Sequence, residues 1–144
     1  MIILDSSFIV SYFNVRDENH LKAAELMESI ANLRFGPIHI TDYIFDETIT
    51  VGFVRLKSLR RAVEIGNVLL RASKIIEVEK INFDKAWHFF RKQKNTNFSF
   101  TDCTTISVMQ ENNIKNIATF DIDFKKIKGI NIIGLPKEGR LYGE

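Results

Sequence analysis

Three apolar residues in a row, Ile2-Ile3-Leu4, end abruptly at Asp5, and this pattern restricts the fold more than any other stretch. A strand with one wet face alternates apolar and polar side chains, whereas a short unbroken apolar run is the mark of a strand covered on both sides. Further short strands are predicted at Ile38-His39-Ile40, Ile75-Ile76-Glu77-Val78, Asn116-Ile117-Ala118-Thr119-Phe120 and 130–133. Between them lie stretches with helical spacing. Strands alternating with helices predict an α/β fold of three layers, α/β/α, around a mostly parallel five-stranded sheet.

The helices can be read from their punctuation. Ser6-Ser7 begins one through Phe8, Ile9, Val10, Tyr12 and Phe13, and a second carries Leu21, Ala24, Leu26, Met27 and Ile30 until Gly36-Pro37 stops it. Thr41 or Asp42 caps a third, with Ile44, Phe45, Thr48, Ile49, Val51 and Phe53, and residues 59–70 continue as a helix. Asn82 or Asp84 starts another, with Phe83, Ala86, Trp87 and Phe90 expected inward. A polar loop over 92–100 leads into a last helix, for which Thr101 is the expected N-cap and Asp102 a first-turn acid facing the positive end of the helix dipole. No linker or internal repeat interrupts this order. A chain of 144 residues with 45% hydrophobic content fits one domain, expected over 1–135, with 136–144 as a tail.

Composition narrows the setting. No apolar run approaches the roughly 20 residues needed to cross a bilayer, so no membrane association is expected, and Met-Ile-Ile-Leu-Asp does not resemble a secretory signal. A single cysteine, Cys103, cannot form an internal disulfide, which favours a reduced, cytoplasmic location. The net charge of +2 is too small to identify a nucleic-acid binder by itself. If the fold gathers particular acids, however, the remaining surface becomes more basic than the total suggests.

The acids that matter occupy punctuated positions. Asp5 and Asp121 follow predicted strands, Glu47 and Asp102 lie in early turns of helices, and Asp123 stands close behind Asp121. Taken singly, each has a structural explanation. Asp5 suits a turn or cap, Glu47 a solvated helix face beside Asp42 and Asp46, Asp102 a dipole partner, and Asp121 to Asp123 an Asx-turn. Taken together, Asp5, Glu47, Asp102 and Asp121 can face one cleft at the carboxyl end of a parallel sheet, where α/β folds place their ligands. Four carboxylates there repel one another unless cations neutralise them, and hard oxygen donors suit Mg²⁺ or Mn²⁺. Such a cluster can hold metal against a phosphodiester and activate a water for in-line attack.

The order of Leu-Asp-Ser-Ser-Phe-Ile at 4–9, Asp-Glu-Thr at 46–48, Phe-Thr-Asp-Cys at 100–103 and Ala-Thr-Phe-Asp-Ile-Asp-Phe at 118–124 resembles the PIN domain family. Within it, the chain is most similar to the small VapC-type toxins of type II toxin–antitoxin pairs. The resemblance spans residues 2–133 and implies an Mg²⁺- or Mn²⁺-dependent ribonuclease. It puts the acidic quartet at Asp5, Glu47, Asp102 and Asp121, with Asp123 as a further metal-site acid and Ser6 and Thr119 as supporting hydroxyls. It also implies an antitoxin protein as partner and a homodimer, expected through the apolar faces of the helices around 56–70. Cys103 departs from the small residue usual at its position and predicts mild sensitivity to oxidation.

Arg91, Lys92, Lys94 and Asn97, interleaved with Phe98 and Phe100, lead directly to Asp102 and are the candidate RNA contacts, by phosphate pairing and base stacking. Phe100 is expected in the core, with Phe98 undecided. His20, His39 and His88 are scattered, so no catalytic histidine is indicated. The competing readings are a PIN scaffold that binds RNA or protein without cutting, and a housekeeping RNA-processing nuclease. A phosphotransferase that starts with a strand and an Asp would need a second acid where Ser6 and Ser7 stand.

Overall fold

The run Ile2–Leu4 forms the central strand, β1, of a five-stranded sheet in a computed structural model that describes residues 1–136. The elements that follow are α1 (Ser6–Phe13), α2 (His20–Ala31), β2 (Ile38–Thr41), α3 (Asp42–Leu56), α4 (Leu59–Ala72) and β3 (Lys74–Ile76). Next come α5 (Lys80–Lys92), α6 (Phe100–Glu111), β4 (Asn116–Ala118), a 3₁₀ turn (Ile122–Lys126) and β5 (Asn131–Ile133). The strand order is β3-β2-β1-β4-β5 and every pairing is parallel, so the sheet is wholly rather than mostly parallel. Ile2, Ile3 and Leu4 are all buried. Since successive strand residues point to opposite faces, helices cover both sides of β1, as the sequence predicts. The stretch read as a tail lies, from residue 137 on, outside the described residues.

Register decides what meets at the carboxyl edge. Leu4 pairs with Ala118, and the Asp5 amide donates to the Ala118 carbonyl at 3.0 Å. Asp5 and Thr119, the next residue on each strand, therefore emerge side by side. Behind Thr119 the chain turns at Gly134, whose φ of +121° and approach to the Thr119 carbonyl leave no room for a side chain, since a Cβ there would sit 2.5 Å from that oxygen.

Several boundaries differ from the sequence expectation. β4 stops at Ala118, and the five residues Ile122–Lys126 form a 3₁₀ turn that no periodicity announced. α6 is capped by Ser99, not Thr101: the Ser99 hydroxyl accepts from the Asp102 amide, and the Asp102 carboxylate accepts from the Ser99 amide, a reciprocal box. On α5 the buried positions are Asn82 and Ala86, and the Asn82 side chain donates to the Ser107 hydroxyl of α6 at 3.4 Å. Phe83 and Trp87, expected inward, are 40% and 50% exposed. Small and hydrogen-bonding residues let α5 lie close to α6, which turns the large rings outward. Among the described residues no helix is long and apolar enough to cross a membrane.

Candidate active site

Asp5 is the N-cap of α1 and is only 2% exposed. Its Oδ1 accepts from the Ser6 amide at 2.9 Å, and its Oδ2 accepts from the Ser7 hydroxyl at 2.9 Å and the fully buried Thr119 hydroxyl at 2.7 Å. The Ser6 hydroxyl donates to the Glu47 carboxylate across 41 positions of sequence, tying the start of α1 to the second turn of α3. Asp102, on the first turn of α6, is 8% exposed. Ser6 and Thr119 thus stand where the sequence expects them, while the contribution of Ser7 was missed. Its only sequence signal was its place one residue after Ser6.

The electrostatics show that three of these acids share one neighbourhood. Burial pushes the Asp5 carboxyl up to about 6, with the Glu47 charge adding to the rise against hydrogen bonds from Thr119 and Ser7 that lower it. Burial pushes Asp102 up to about 7, and the charges of Asp5 and then Glu47 add to it. Asp121 joins through Thr119: its amide donates to the Thr119 hydroxyl at 3.0 Å, and its own carboxylate caps the 3₁₀ turn by accepting from the Asp123 amide at 2.9 Å. Asp123 is engaged elsewhere. Its Oδ2 accepts from the Asn97 amide at 2.7 Å and its Oδ1 pairs with Lys126 at 3.3 Å, which hold its carboxyl below the usual carboxylate range.

The donor set is carboxylate and hydroxyl oxygen throughout, which fits a hard divalent cation such as Mg²⁺ or Mn²⁺ and fits zinc poorly. Among the described residues no three acids surround one point as a finished cage. The reason is local: Asp5 is turned into Thr119, Ser7 and Ser6, and Asp102 is turned back on Ser99. Burial first, and then the neighbouring carboxylate charges, raise Asp5 and Asp102, and a bound cation would offset both.

Arg91, Lys92, Lys94 and Asn97 are all exposed. The Arg91 guanidinium lies 5.8 Å from the Trp87 ring centre, in a rim where Phe100 meets Tyr43, Phe83, Trp87 and Phe90. Phe98, undecided from sequence, is buried between Phe89 and Phe124, whereas Phe100 is only half-buried. On α4, Arg60 pairs with Glu64 and Arg61 donates to the Phe13 carbonyl. The ring nitrogens of His20 and His39 meet the carbonyls of Ser11 and Pro37, away from the acids. Cys103 is buried, and burial together with the nearby Asp102 charge pushes its thiol up to about 11. A buried thiol with little thiolate is a poor nucleophile, which argues against the expected sensitivity to oxidation. A small cavity lined by Ile106, Met109, Ile114 and Ile130 contains none of the acids.

Comparison with known proteins agrees with this fold. Residues 2–130 match the PIN domain family. The chain is 29% identical over 128 residues to the 23S rRNA-specific endonuclease VapC20 of Mycobacterium tuberculosis, covering 86% of this chain and 92% of that protein. The crystal structure of VapC20, described as a sarcin-ricin loop cleaving toxin, superposes with a TM-score of 0.78 at 26% identity, covering 90% of this chain and 97% of the other. A chain of VapBC2 from Rickettsia felis, solved bound to a DNA fragment from its promoter, gives a TM-score of 0.66 at 18% identity, over 92% and 97% of the two chains, and shares the fold.

Proposed function

The chain belongs to the PIN domain family, and on that footing we propose that it is a divalent-metal-dependent endoribonuclease, the toxin of a type II toxin–antitoxin pair. The observation that carries this reading is the convergence of Asp5, Asp102 and Glu47, buried or half-buried, with Ser6 bridging to Glu47 and close enough that the Glu47 charge acts on Asp5 and the charges of Asp5 and Glu47 act on Asp102. Asp5, Glu47, Asp102 and Asp121 would hold Mg²⁺ or Mn²⁺, which supplies charge neutralisation at the phosphodiester and a water of lowered pKa. The chain's own residues do the rest. Thr119 and Ser7 fix the Asp5 carboxylate, Ser6 spans from α1 to Glu47, and the Ser99 amide orients Asp102. Lys92, Lys94 and Arg91 offer cations to the incoming RNA backbone.

VapC20 acts on 23S rRNA, which makes ribosomal RNA the first substrate to try. An antitoxin that covers the acids with a basic side chain is the expected protein partner, a role supported by the VapBC2 pair. A homodimer would use Phe53, Val54, Leu59, Val63 and Leu70, large apolar side chains left exposed on α3 and α4. A reduced cytoplasm suits a protein whose one cysteine is a buried free thiol. The test is cleavage of 23S rRNA and of an unstructured RNA in Mn²⁺ by the wild type and by Asp102→Asn. Cleavage by the wild type alone is expected, and equal cleavage by both overturns the reading.

A further inference from the structure

The loop between α5 and α6 is built more firmly than an ordinary connection. The Gln93 side chain clasps it from within: Nε2 donates to the Phe98 carbonyl at 3.0 Å, while Oε1 accepts from the Phe98 amide at 2.9 Å and the Thr96 hydroxyl at 2.8 Å. Phe98 anchors it in the core against Phe89 and Phe124. The 3₁₀ turn grips it from outside, where Asp123 accepts the Asn97 amide at 2.7 Å and Lys126 donates to the Asn95 carbonyl. Asn95 sits in the left-handed region, at φ +61°, a conformation such a hold makes tolerable. Lys94, Asn95 and Asn97 are left facing solvent.

These bonds continue into the acids with one polarity. The Asn97 amide donates to Asp123, the Asp123 amide to Asp121, the Asp121 amide to the Thr119 hydroxyl, and that hydroxyl to Asp5. Donors aligned in one direction reinforce one another. The loop and the reacting edge are thereby held in a single frame, and Asp123, with both carboxylate oxygens already accepting, is the joint between them.

We propose that Asp123 is a positioning residue that latches the 93–99 loop through the Asn97 amide, so that Lys94 and Asn97 meet the RNA strand in a fixed geometry beside the acids. The proposal rests on the ribonuclease reading for its substrate, though the latch itself can be observed without RNA. The test compares wild type, Asp123→Ala and Asp123→Asn by amide hydrogen exchange at Asn97 and Phe98, by Mn²⁺ titration, and by kcat and KM on a labelled stem–loop RNA. Removing a hydrogen bond to a charged acceptor predicts that Asp123→Ala speeds exchange at both amides about tenfold or more and raises KM about tenfold, with kcat changed far less. Mn²⁺ affinity stays at the wild-type level. Asp123→Asn, which keeps an acceptor for the Asn97 amide, recovers most of the protection and of KM. Unchanged exchange and KM in Asp123→Ala overturn the latch. Loss of Mn²⁺ affinity and kcat in both variants with the loop still protected also overturns it, by making Asp123 a metal ligand. A wild type that leaves every RNA intact defeats the ribonuclease reading instead, while the exchange data still decide the latch.

Discussion

Asp102 and Asp123 lie on either side of the same loop and are treated by the fold in opposite ways. Asp102 is buried in the first turn of α6, pressed by the charges of Asp5 and Glu47, and its carboxyl is pushed up to about 7. Asp123 receives an amide from Asn97 and a cation from Lys126, and its carboxyl is held below the ordinary range. One acid carries repulsion that a divalent cation would release. The other is already satisfied and holds structure in place. Position in sequence does not foretell such differences, because Asp121 and Asp123 are two residues apart, yet the Asp121 amide reaches Thr119 while the Asp123 carboxylate holds Asn97.

The sharpest way to break this contrast is Asp5→Asn, expected to lower RNA cleavage in Mn²⁺ by at least about 10³-fold, the scale on which loss of a charge-stabilising group acts. A rate within tenfold of wild type would put Asp5 in the class of Asp123. Thr119→Val removes the hydroxyl that both fixes Asp5 and accepts from Asp121. Such supporting groups are worth roughly 10- to 100-fold in metal affinity or activity, so an effect within twofold would mean that Ser7 and the Ser6 amide suffice to orient Asp5.

The titration behaviour supplies a third test. Asp5 and Asp102 keep their protons in the folded chain up to about 6 and about 7, whereas the unfolded chain releases them near the ordinary 3.8. In that window the folded state binds more protons, so stability without metal falls as pH rises from about 4 towards 7. Asp123 works the other way, with its contribution lost only as pH drops below 3.8. Melting temperatures in chelator should therefore decline from mildly acid to neutral pH, and Mn²⁺ should raise them most at neutral pH. A flat profile with no Mn²⁺ response would count against the mutual repulsion. The smallest expected effect belongs to Thr48, whose hydroxyl is the sole buried side-chain polar atom without a hydrogen-bond partner among the described residues. Thr48→Val removes that unpaired group at nearly the same volume and should stabilise by about 1 kcal/mol, seen as a higher melting temperature. A destabilised variant would show that the hydroxyl has a partner after all.

Much of this was legible because it is local. The unbroken run Ile2–Leu4 predicts a doubly covered strand, and Asp5 at its end predicts the carboxyl edge where it emerges beside Thr119. The alternation of strands and helices predicts the layers and the order of elements up to β5. What was not legible depends on contacts distant in sequence or on near-equal local choices. Ser99 and Thr101 both carry a capping hydroxyl, and only the reciprocal bond with Asp102 decides between them. Helical spacing marks α5 but not the side that meets α6, so Phe83 and Trp87 were expected inside and lie outside. The bond from Asn97 to Asp123 crosses 26 positions and leaves no mark on either segment.

The bond between Thr119 and Asp5 spans 114 positions, because β1 precedes β2 and β3 in the chain yet pairs with β4 on its other side. Contacts of such separation form late, after the cost of closing a long loop has been met. During translation the leading half of the chain can gather β1, β2 and β3 and already pairs Asp5 with the Ser7 hydroxyl, yet neither Thr119 nor Asp121 exists until the final quarter is made. A product truncated before residue 119 would therefore lack the assembled edge altogether.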